Sequence, residues 1–566
     1  MLQGYLRNAI RSLSSVASAS NKRISYPAYG AFDTTTNREH FRITQTIEDF
    51  RNDWNFLESG GREVESADGT PHAISLAGRV ISKREASKKL YFIDIESNGS
   101  RIQVMSDERH FDENTTTGAS SSPSSPISAT NKDGTFDNFR SCHKELQRGD
   151  IIGVSGFPAK TNKGELSIIP KSMCWLAPCL RELPSPGDPP PQDPNVRFRQ
   201  RSMDLISNQE SRHILQVRFK VISLMRQYLE NLNFVEAETP ILNANAGGAA
   251  ATPFTTSSVA LGSNAPPLHL RIAPELYLKQ LVIGGFDRVF EIGKVFRNEG
   301  IDSTHNPEFT TCEFYQAYAE YNDIMNLTED MLSTLEIGIR ECIKKGMIQN
   351  NPNNDNNEDD TPFIFAKKPF KRISVYDELE NILNVQLPPP NELEDTKSLK
   401  ILLDICNLSS NNINLEDSQA TQSVPKILDH MISTLIEPLC IEPTFLCDHP
   451  SIMSPLAKNH RTRVGLTERF ELFVKGKELC NAYSELNDPD VQRSRFDSQL
   501  NMRSLYNDIE SHGKDEEFCE SLMYGLPPTA GWGIGIDRLV MLLTNQKHIR
   551  EVLPFPLLKP DERIRD

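Results

Sequence analysis

The sequence predicts an α+β protein of two domains: a small N-terminal five-stranded β-barrel, then a larger domain in which helices flank an antiparallel sheet. Three observations carry this. Five short runs of period-two apolar alternation lie between residues 71 and 182, prolines cluster at 183–200, and long alternating strands mixed with helical periodicity fill 201–566. The 566 residues suffice for two or three cored domains. No window approaches the roughly twenty apolar residues of a membrane-spanning helix, so no membrane partner is expected. The net charge of −16 excludes a non-specific nucleic-acid coat protein, which binds through a blanket of Lys and Arg. That charge is uneven, near neutral over residues 1–200 and −17 over 201–566. Any nucleic acid is therefore met locally. The ten cysteines include no CxxC pair, which points to reduced thiols in a non-secretory compartment and against a zinc site.

Residues 1–32 contain no acidic side chain before Asp33, but carry Arg7, Arg11, Lys22 and Arg23 and six serines. Leu2, Leu6, Ile10 and Leu13 form one helical stripe with Arg7 and Arg11 off it. This is the composition of a mitochondrial transit peptide, and import into the matrix is expected. A disordered basic tail and a tRNA-gripping arm are the competing readings. Residues 33–70 read as a helical entry, with a helix from Thr46 to Leu57.

From Ile74 the period becomes two. AISLAGRVIS, KLYFIDIES and SRIQVMSD give three strands. A Ser/Thr/Pro-rich flexible insertion follows at 113–135, then a short helix over 136–147, then strands DIIGVSGFPAKT and GELSIIPKSMCWLA. Five strands with a helix between the third and fourth is the order of an OB-fold, whose second and third strands present an oligonucleotide-binding face. An unrelated five-stranded barrel fits the same pattern. The run LPSPGDPPPQDP marks a stiff linker, taken as 183–200, because clustered prolines support neither helix nor ladder.

In the second domain a helix is expected from Ser211 to Leu232, and another from Asn322. LPPPNELED, residues 387–395, reads as a surface loop. RVFEIGKVFRNEGIDSTHNPEFTTCEFYQAYAEY, residues 288–321, reads as a long hairpin. Period two places Phe309, Thr311, Glu313 and Tyr315 on one face, a binding surface in composition. Arg297 and His305 bracket the loop and suit an anion such as a polyphosphate. In RFELFVKGKELCNAYSELND a KGK turn divides two strands; Asn481, Tyr483 and Glu485 share a face. Glu471 and Glu478 flank that turn and suit Mg²⁺, which takes one or two carboxylates plus substrate phosphates. In GLPPTAGWGIGIDRLVMLLT, Gly531, Gly533 and Gly535 alternate, leaving one strand face bare for a flat ring. Arg538 opens the following helix, where a cation opposes the macrodipole and is better placed for an anionic ligand. No GxxxxGK[ST] P-loop is present.

Taken together, these strings resemble a class II aminoacyl-tRNA synthetase of the subclass carrying an N-terminal OB-fold. Its three motifs match FVEAETPIL with Pro240, FRNEG through HNPEFT, and GIGIDRLVML. More narrowly, RFRQRSMDLISN, GGAAATPF, LRIAPELYLKQLVIGGF, SPLAK, NAYSELNDPDVQ and GLPPTAGWGIGIDR are similar to lysyl-tRNA synthetase over roughly residues 70–560, with insertions at 113–135, 348–362 and near 388–422. With its leader the chain resembles the mitochondrial form. The resemblance implies a catalytic domain over 201–566 that makes lysyl-adenylate from ATP and L-lysine and transfers the acyl group to tRNA(Lys). It implies Arg297 on the α-phosphate and lysine carboxylate, Glu299 on the adenine amino group, Phe309 stacked on adenine, and His305 and Arg538 on the outer phosphates. Glu471 and Glu478 would hold Mg²⁺. Glu275 would take the α-amino group; Tyr315 and Glu485 would flank the side-chain ammonium, with Glu313, Asn481 and Tyr483 lining the pocket. In the barrel, Phe92, Gln103 and Glu165, assisted by Arg79, would engage an anticodon with central uridine. Pro240 lies in the motif the family uses to form a homodimer. The sequence departs from the family at RSMDL, Thr252, Tyr483 and Trp532, of which Thr252 and Trp532 are expected near the site. Aspartyl or asparaginyl specificity, or an inactive tRNA-binding paralogue, are the alternatives.

Overall fold

A computed structural model describes residues 41–64, 74–111, 139–184, 191, 193–245, 247–249, 251–262, 265–349, 363–408, 423–506 and 515–559, with a two-residue strand pair at 32–33 and 38–39. The leader up to residue 31, the 113–135 insertion, and residues 350–362 and 409–422 of the later insertions lie outside the described residues. Two compact units divide the chain, 1–192 and 193–566.

In the first unit, helix α1 (Ile47–Trp54) starts where Thr46 accepts a hydrogen bond from the Asp49 amide at 3.0 Å, an N-cap that satisfies one orphan donor. It buries Ile47 and Phe50 against the barrel. Strands β1 (Ile74–Ser87), β2 (Leu90–Ser97), β3 (Ser100–Asp107), β4 (Ile151–Lys160) and β5 (Leu166–Ala177) close in the order β1-β2-β3-β5-β4. Asn98 and Gly99, both at positive φ, make the two-residue turn between β2 and β3. The short helix α2 (Phe139–Glu145) lies between β3 and β4 in sequence and buries Phe139 and Cys142 in the barrel core. This is the OB order.

The second unit opens inside the segment read as linker. Helix α3 (Pro194–Arg199) begins with Pro194 after the Asp193 N-cap, since proline is tolerated in a first turn whose N–H has no partner. Helices α4 (Arg201–Ser207) and α5 (Gln209–Asn231) follow. Next come β6 (Val235–Glu236), α6 (Glu275–Ile283), β7 (Arg288–Phe296), β8 (Glu308–Ala317) and α7 (Tyr321–Lys344). Then β9 (Lys371–Ser374) leads through α8 (Val375–Leu383), α9 (Thr396–Cys406) and α10 (Val424–Leu435) to β10 (Thr444–Cys447). The unit ends with β11 (Arg469–Val474), β12 (Lys477–Ser484), α11 (Pro489–Tyr506), α12 (Glu516–Leu522), β13 (Thr529–Gly535), α13 (Ile536–Leu543) and α14 (Ile549–Val552).

The sheet order is β9-β10-β11-β12-β13-β8-β7-β6. The sheet is mixed, not purely antiparallel: β9 pairs parallel with β10, and β6 with β7. Both edge pairs are joined by long helical connections, which parallel pairing requires and a hairpin forbids. The 387–395 segment is also more than a surface loop, because Leu387 and Leu393 are buried in a cluster with α8, α9 and α10.

Alternation along the central strands separates two chemistries. Phe290, Cys312, Phe314, Phe470, Leu472, Cys480, Ala482, Trp532 and Ile534 join residues of α5, α7 and α13 in the main core. Their neighbours form the opposite face. Laterally, Glu471 pairs with Asn481, Asn481 with Gly533, Gly533 with Glu313 and Glu313 with Glu291. One step along, Arg469 pairs with Tyr483, Tyr483 with Gly531 and Gly531 with Tyr315. All ten cysteines are free thiols, and every one except Cys179 is buried.

Candidate active site

A cavity of about 630 Å³ opens on the polar face of the sheet. Arg297, Glu299, His305, Phe309, Glu313, Tyr315, Glu275, Glu471, Glu478, Asn481, Tyr483 and Arg538 all contribute to its wall, so the structure brings twelve of the thirteen residues read into this site together. Glu485 is the exception. It is not on the wall but immediately behind it, next to Gly531 and Tyr315.

The acidic end is built from α6, β8 and β12. Glu275 and Lys279 stand one turn apart on α6, and Lys279 Nζ donates to Glu275 Oε1 at 2.7 Å and to Glu485 Oε2 at 2.9 Å. The Tyr483 hydroxyl donates to the same Glu275 oxygen at 2.7 Å. Lys279 is completely buried, its ammonium 5.0 Å from the Phe518 ring centroid. Burial disfavours that charge, but Glu275 and Glu485 outweigh it and hold the ammonium protonated. Sequence reasoning missed Lys279, although its i+4 spacing from Glu275 on a helix was a readable signal. Burial, reinforced by Glu275 and opposed by Arg297 and the Tyr315 hydroxyl, pushes Glu313 up to about 8. Burial also pushes Glu485 up to about 8, against the pull of Lys279. Its Oε1 finds no hydrogen-bond partner among the described residues.

At the other end, the Arg297 guanidinium lies 5.2 Å from the Phe309 ring centroid, and its Nε is buried without a hydrogen bond among the described residues. Arg538 donates to the Glu478 backbone carbonyl at 3.0 Å and carboxylate at 3.2 Å. His305 Nδ1 lies 2.8 Å from Asp302 and its Nε2 3.1 Å from Arg538; an Nδ1–H donated to Asp302 leaves Nε2 to accept from Arg538. Neighbouring Asp537 is buried, accepting from Arg218 at 2.6 Å and from the Thr310 amide at 2.8 Å. Burial alone would raise Glu471, but Arg469 and His449 outweigh it and hold its carboxylate down at about 2. Arg469, two residues before Glu471 on the same strand face, also went unread. Asp429 and Glu437 are raised by burial and by the negative charge of Glu471 and Glu478, Glu437 to about 7.

The glycines on β13 do something other than expose a flat shelf. A Cβ at Gly531 would collide with Glu485 Oε1 and the Tyr315 ring, and one at Gly533 would stand 3.2 Å from Glu313 Cγ. Only Gly535 faces open space. The first two make room for carboxylates and a phenol. Trp532, expected near the site, does contribute to the cavity wall, while its ring is buried in the core and stacks on Phe314 at 4.9 Å. Thr252 does reach the site's loop, its carbonyl accepting from the Asn298 amide at 2.7 Å.

Residues 193–559 match the family described as tRNA synthetases class II (D, K and N), and residues 74–173 match the OB-fold nucleic acid binding domain. The lysine–tRNA ligase cla4 of Cladosporium cladosporioides is 42% identical over 92% of this chain and 81% of its own length. A probable cytoplasmic lysine–tRNA ligase of Encephalitozoon cuniculi (strain GB-M1) is 41% identical over 86% of this chain and 87% of its own. A lysine–tRNA ligase of Prochlorococcus marinus (strain MIT 9312) is 39% identical, over 92% of both chains. The chain belongs to the lysine–tRNA ligase family of class II synthetases.

In the OB-fold of this class II synthetase Phe92 and Gln103 lie on the face of β2 and β3 opposite the core residues Ile93, Ile95, Ile102 and Val104, with Phe92 half-buried and Gln103 buried. Arg79 is on β1, opposite Glu96 in register, and donates to the Gly149 carbonyl at 2.8 Å. Gln103 Oε1 accepts from Ser167 at 3.1 Å on the adjoining β5. Glu165 is exposed just before that strand. The barrel thus gathers Arg79, Phe92 and Gln103 on one face, with Glu165 at its border.

Proposed function

We propose that the chain ligates L-lysine to tRNA(Lys) through a lysyl-adenylate, using ATP. The observation that carries this reading is the division of charge in one cavity. Carboxylates and phenols converge at Tyr315, Arg297 lies over Phe309 roughly 20 Å of strand away, and His305 and Arg538 pair on the same cavity wall. An oxygen of the lysine carboxylate attacks the α-phosphorus, the bond to the β-phosphate oxygen breaks, and pyrophosphate leaves with the electron pair. The terminal ribose hydroxyl of tRNA then attacks the acyl carbon and AMP departs. No side chain forms a covalent bond. Arg297 orients the α-phosphate and lysine carboxylate, Phe309 stacks on adenine with Glu299 at its amino group, and His305 and Arg538 hold the outer phosphates. Glu275 takes the α-amino group and Glu485 the side-chain ammonium, beside Tyr315, Glu313, Asn481 and Tyr483.

Glu471 and Glu478 are the residues that would hold Mg²⁺. Among the described residues no three His, Cys, Asp or Glu side chains converge to hold a metal by themselves, which suits an ion taking two carboxylates and completing its shell with phosphate and water. Burial raises Asp429 and Glu437, and the negative charge of Glu471 and Glu478 raises them further; that charge fits a cation there. When bound, the ion would neutralise phosphate charge. We also assign the outer barrel face with Arg79, Phe92, Gln103 and Glu165 to the anticodon, and the Arg/Ser-rich leader to import into the mitochondrial matrix. A homodimer through the motif around Pro240 is supported by the exposed Phe219, Val235, Ile241 and Leu242.

ATP–pyrophosphate exchange by the purified chain tests the reading, with stimulation by lysine expected. Stimulation by aspartate or asparagine would overturn the substrate, and no exchange with any amino acid would leave a tRNA-binding protein. A fluorescent reporter fused to residues 1–35 that stayed in the cytosol would refute the leader's role.

A further inference from the structure

The carboxylate assigned above to the lysine ammonium is already half used. Glu485 Oε2 accepts from Lys279 Nζ at 2.9 Å, and neither side chain has any exposure to solvent. The other oxygen, Oε1, is buried without a partner among the described residues. It occupies the space where a Cβ at position 531 would stand, against the edge of the Tyr315 ring, and Gly531 and Tyr315 both line the cavity. Lys279 is held in place by its second bond, to Glu275, by its helix, and by the Phe518 ring beneath it. It is a fixed part of the pocket and no mobile surface cation.

We propose that Lys279 is a specificity-determining residue: by occupying one oxygen of Glu485 it leaves a single acceptor, which fits a primary ammonium and not a guanidinium. A guanidinium binds a carboxylate best through two parallel N–H···O bonds, one to each oxygen. With Oε2 accepting from Lys279, a guanidinium loses the parallel pair and meets Glu485 through one bond, leaving four of its five N–H donors to be satisfied elsewhere in the pocket. An ammonium is a compact point donor: one N–H meets that oxygen and two remain, against four on a guanidinium. Arginine and lysine carry the same charge, so a simple electrostatic or structural contribution of Lys279 would affect both amino acids alike. Lys279 acts through Glu485, and discrimination is its signature.

This inference rests on the proposed lysine site, and the test separates the two. Lysine-dependent and arginine-dependent pyrophosphate exchange are measured for the unchanged chain and for Lys279→Met, which keeps the side-chain length and removes the ammonium. Absence of lysine-dependent exchange in the unchanged chain would overturn the site reading and this inference with it. With that exchange present, the expected result for Lys279→Met is a fall of about tenfold or more in the lysine-to-arginine ratio of kcat/KM, the worth of one charge-assisted hydrogen bond. Equal losses for both amino acids, with the ratio unchanged, would overturn it. If Lys279→Met does not fold, the unchanged chain decides. n-Butylamine is expected to compete with lysine at least about tenfold better than n-butylguanidine. Equal competition refutes the proposal.

Discussion

At the scale of single residues, Arg297 lines the cavity with a buried polar atom left unpaired by the described residues. Its guanidinium rests over Phe309 and its Nε has no partner among the described residues, so removal of the group should cost the reaction more than the fold. Arg297→Ala is expected to lower pyrophosphate exchange by about 10²–10³-fold, the usual worth of one donor aimed at developing charge. A circular dichroism melt should shift little. A second expectation concerns pH. Burial raises Glu313 and Glu485 both to about 8, so below that pH an incoming ammonium must displace protons. KM for lysine should fall as pH rises from 6.5 to 8, by roughly tenfold or more, and level off above. The linked stability has the opposite sense. A carboxylate raised on folding binds more protons in the native state than in the unfolded one between about 4.5 and 8. Its contribution to stability is therefore present at low pH and lost as pH climbs through that window. A pH-independent KM would rule out these carboxylates as the ammonium's partners.

At the scale of elements, strand β13 separates core from site within seven residues, and substitutions on its two faces should have different consequences. Trp532→Ala removes a buried ring stacked on Phe314 and should cost about 3–5 kcal/mol in urea unfolding, with KM for lysine nearly unchanged. Gly531→Ala drives a methyl group into Glu485 and Tyr315, and should raise KM for lysine at least tenfold with a smaller effect on unfolding. The hairpin of β7 and β8, the KGK turn and the shared face of Glu313 and Tyr315 were legible because each follows from local periodicity or turn chemistry. Lys475 and Gly476, both at positive φ, make that turn as the glycine suggests. What could not be read is what the chain brings together across long separations. Lys279 and Glu485 are 206 residues apart, and the partner of Arg218, Asp537, is 319 away. Glycine alternation was read as marking where a ligand lies, when at two of three positions it accommodates neighbouring acidic and phenolic side chains.

At the scale of the whole molecule, the near-neutral first 200 residues and the acidic remainder match the separate tasks proposed for them. The barrel presents Phe92 on an outer face with Arg79 and Gln103, while carboxylates gather at the cavity of the second unit. Phe92→Ala should leave pyrophosphate exchange unchanged and raise KM for tRNA by about tenfold or more, the worth of one lost base stack. A parallel loss of exchange would show that the two tasks are not separable. The barrel strands and their order were legible from alternation and turns alone. The parallel edges of the large sheet were not, because β9 and β10 are four residues each and their pairing depends on the helices between them.

The burial of nearly every cysteine gives the molecule built-in reporters of its own opening. Cys312 and Cys480 flank Ile534 from either side beneath the polar face of the large sheet, while Cys142 and Cys174 are buried in the first unit. Cys179 alone is partly accessible, so an alkylating reagent should mark it first. Later alkylation at the other four would be limited by how often each unit unfolds locally. Mass spectrometry of the labelled peptides would then time the breathing of the two units separately, in one sample of unaltered protein. Ligands that fill the cavity should slow the clock at Cys312 and Cys480.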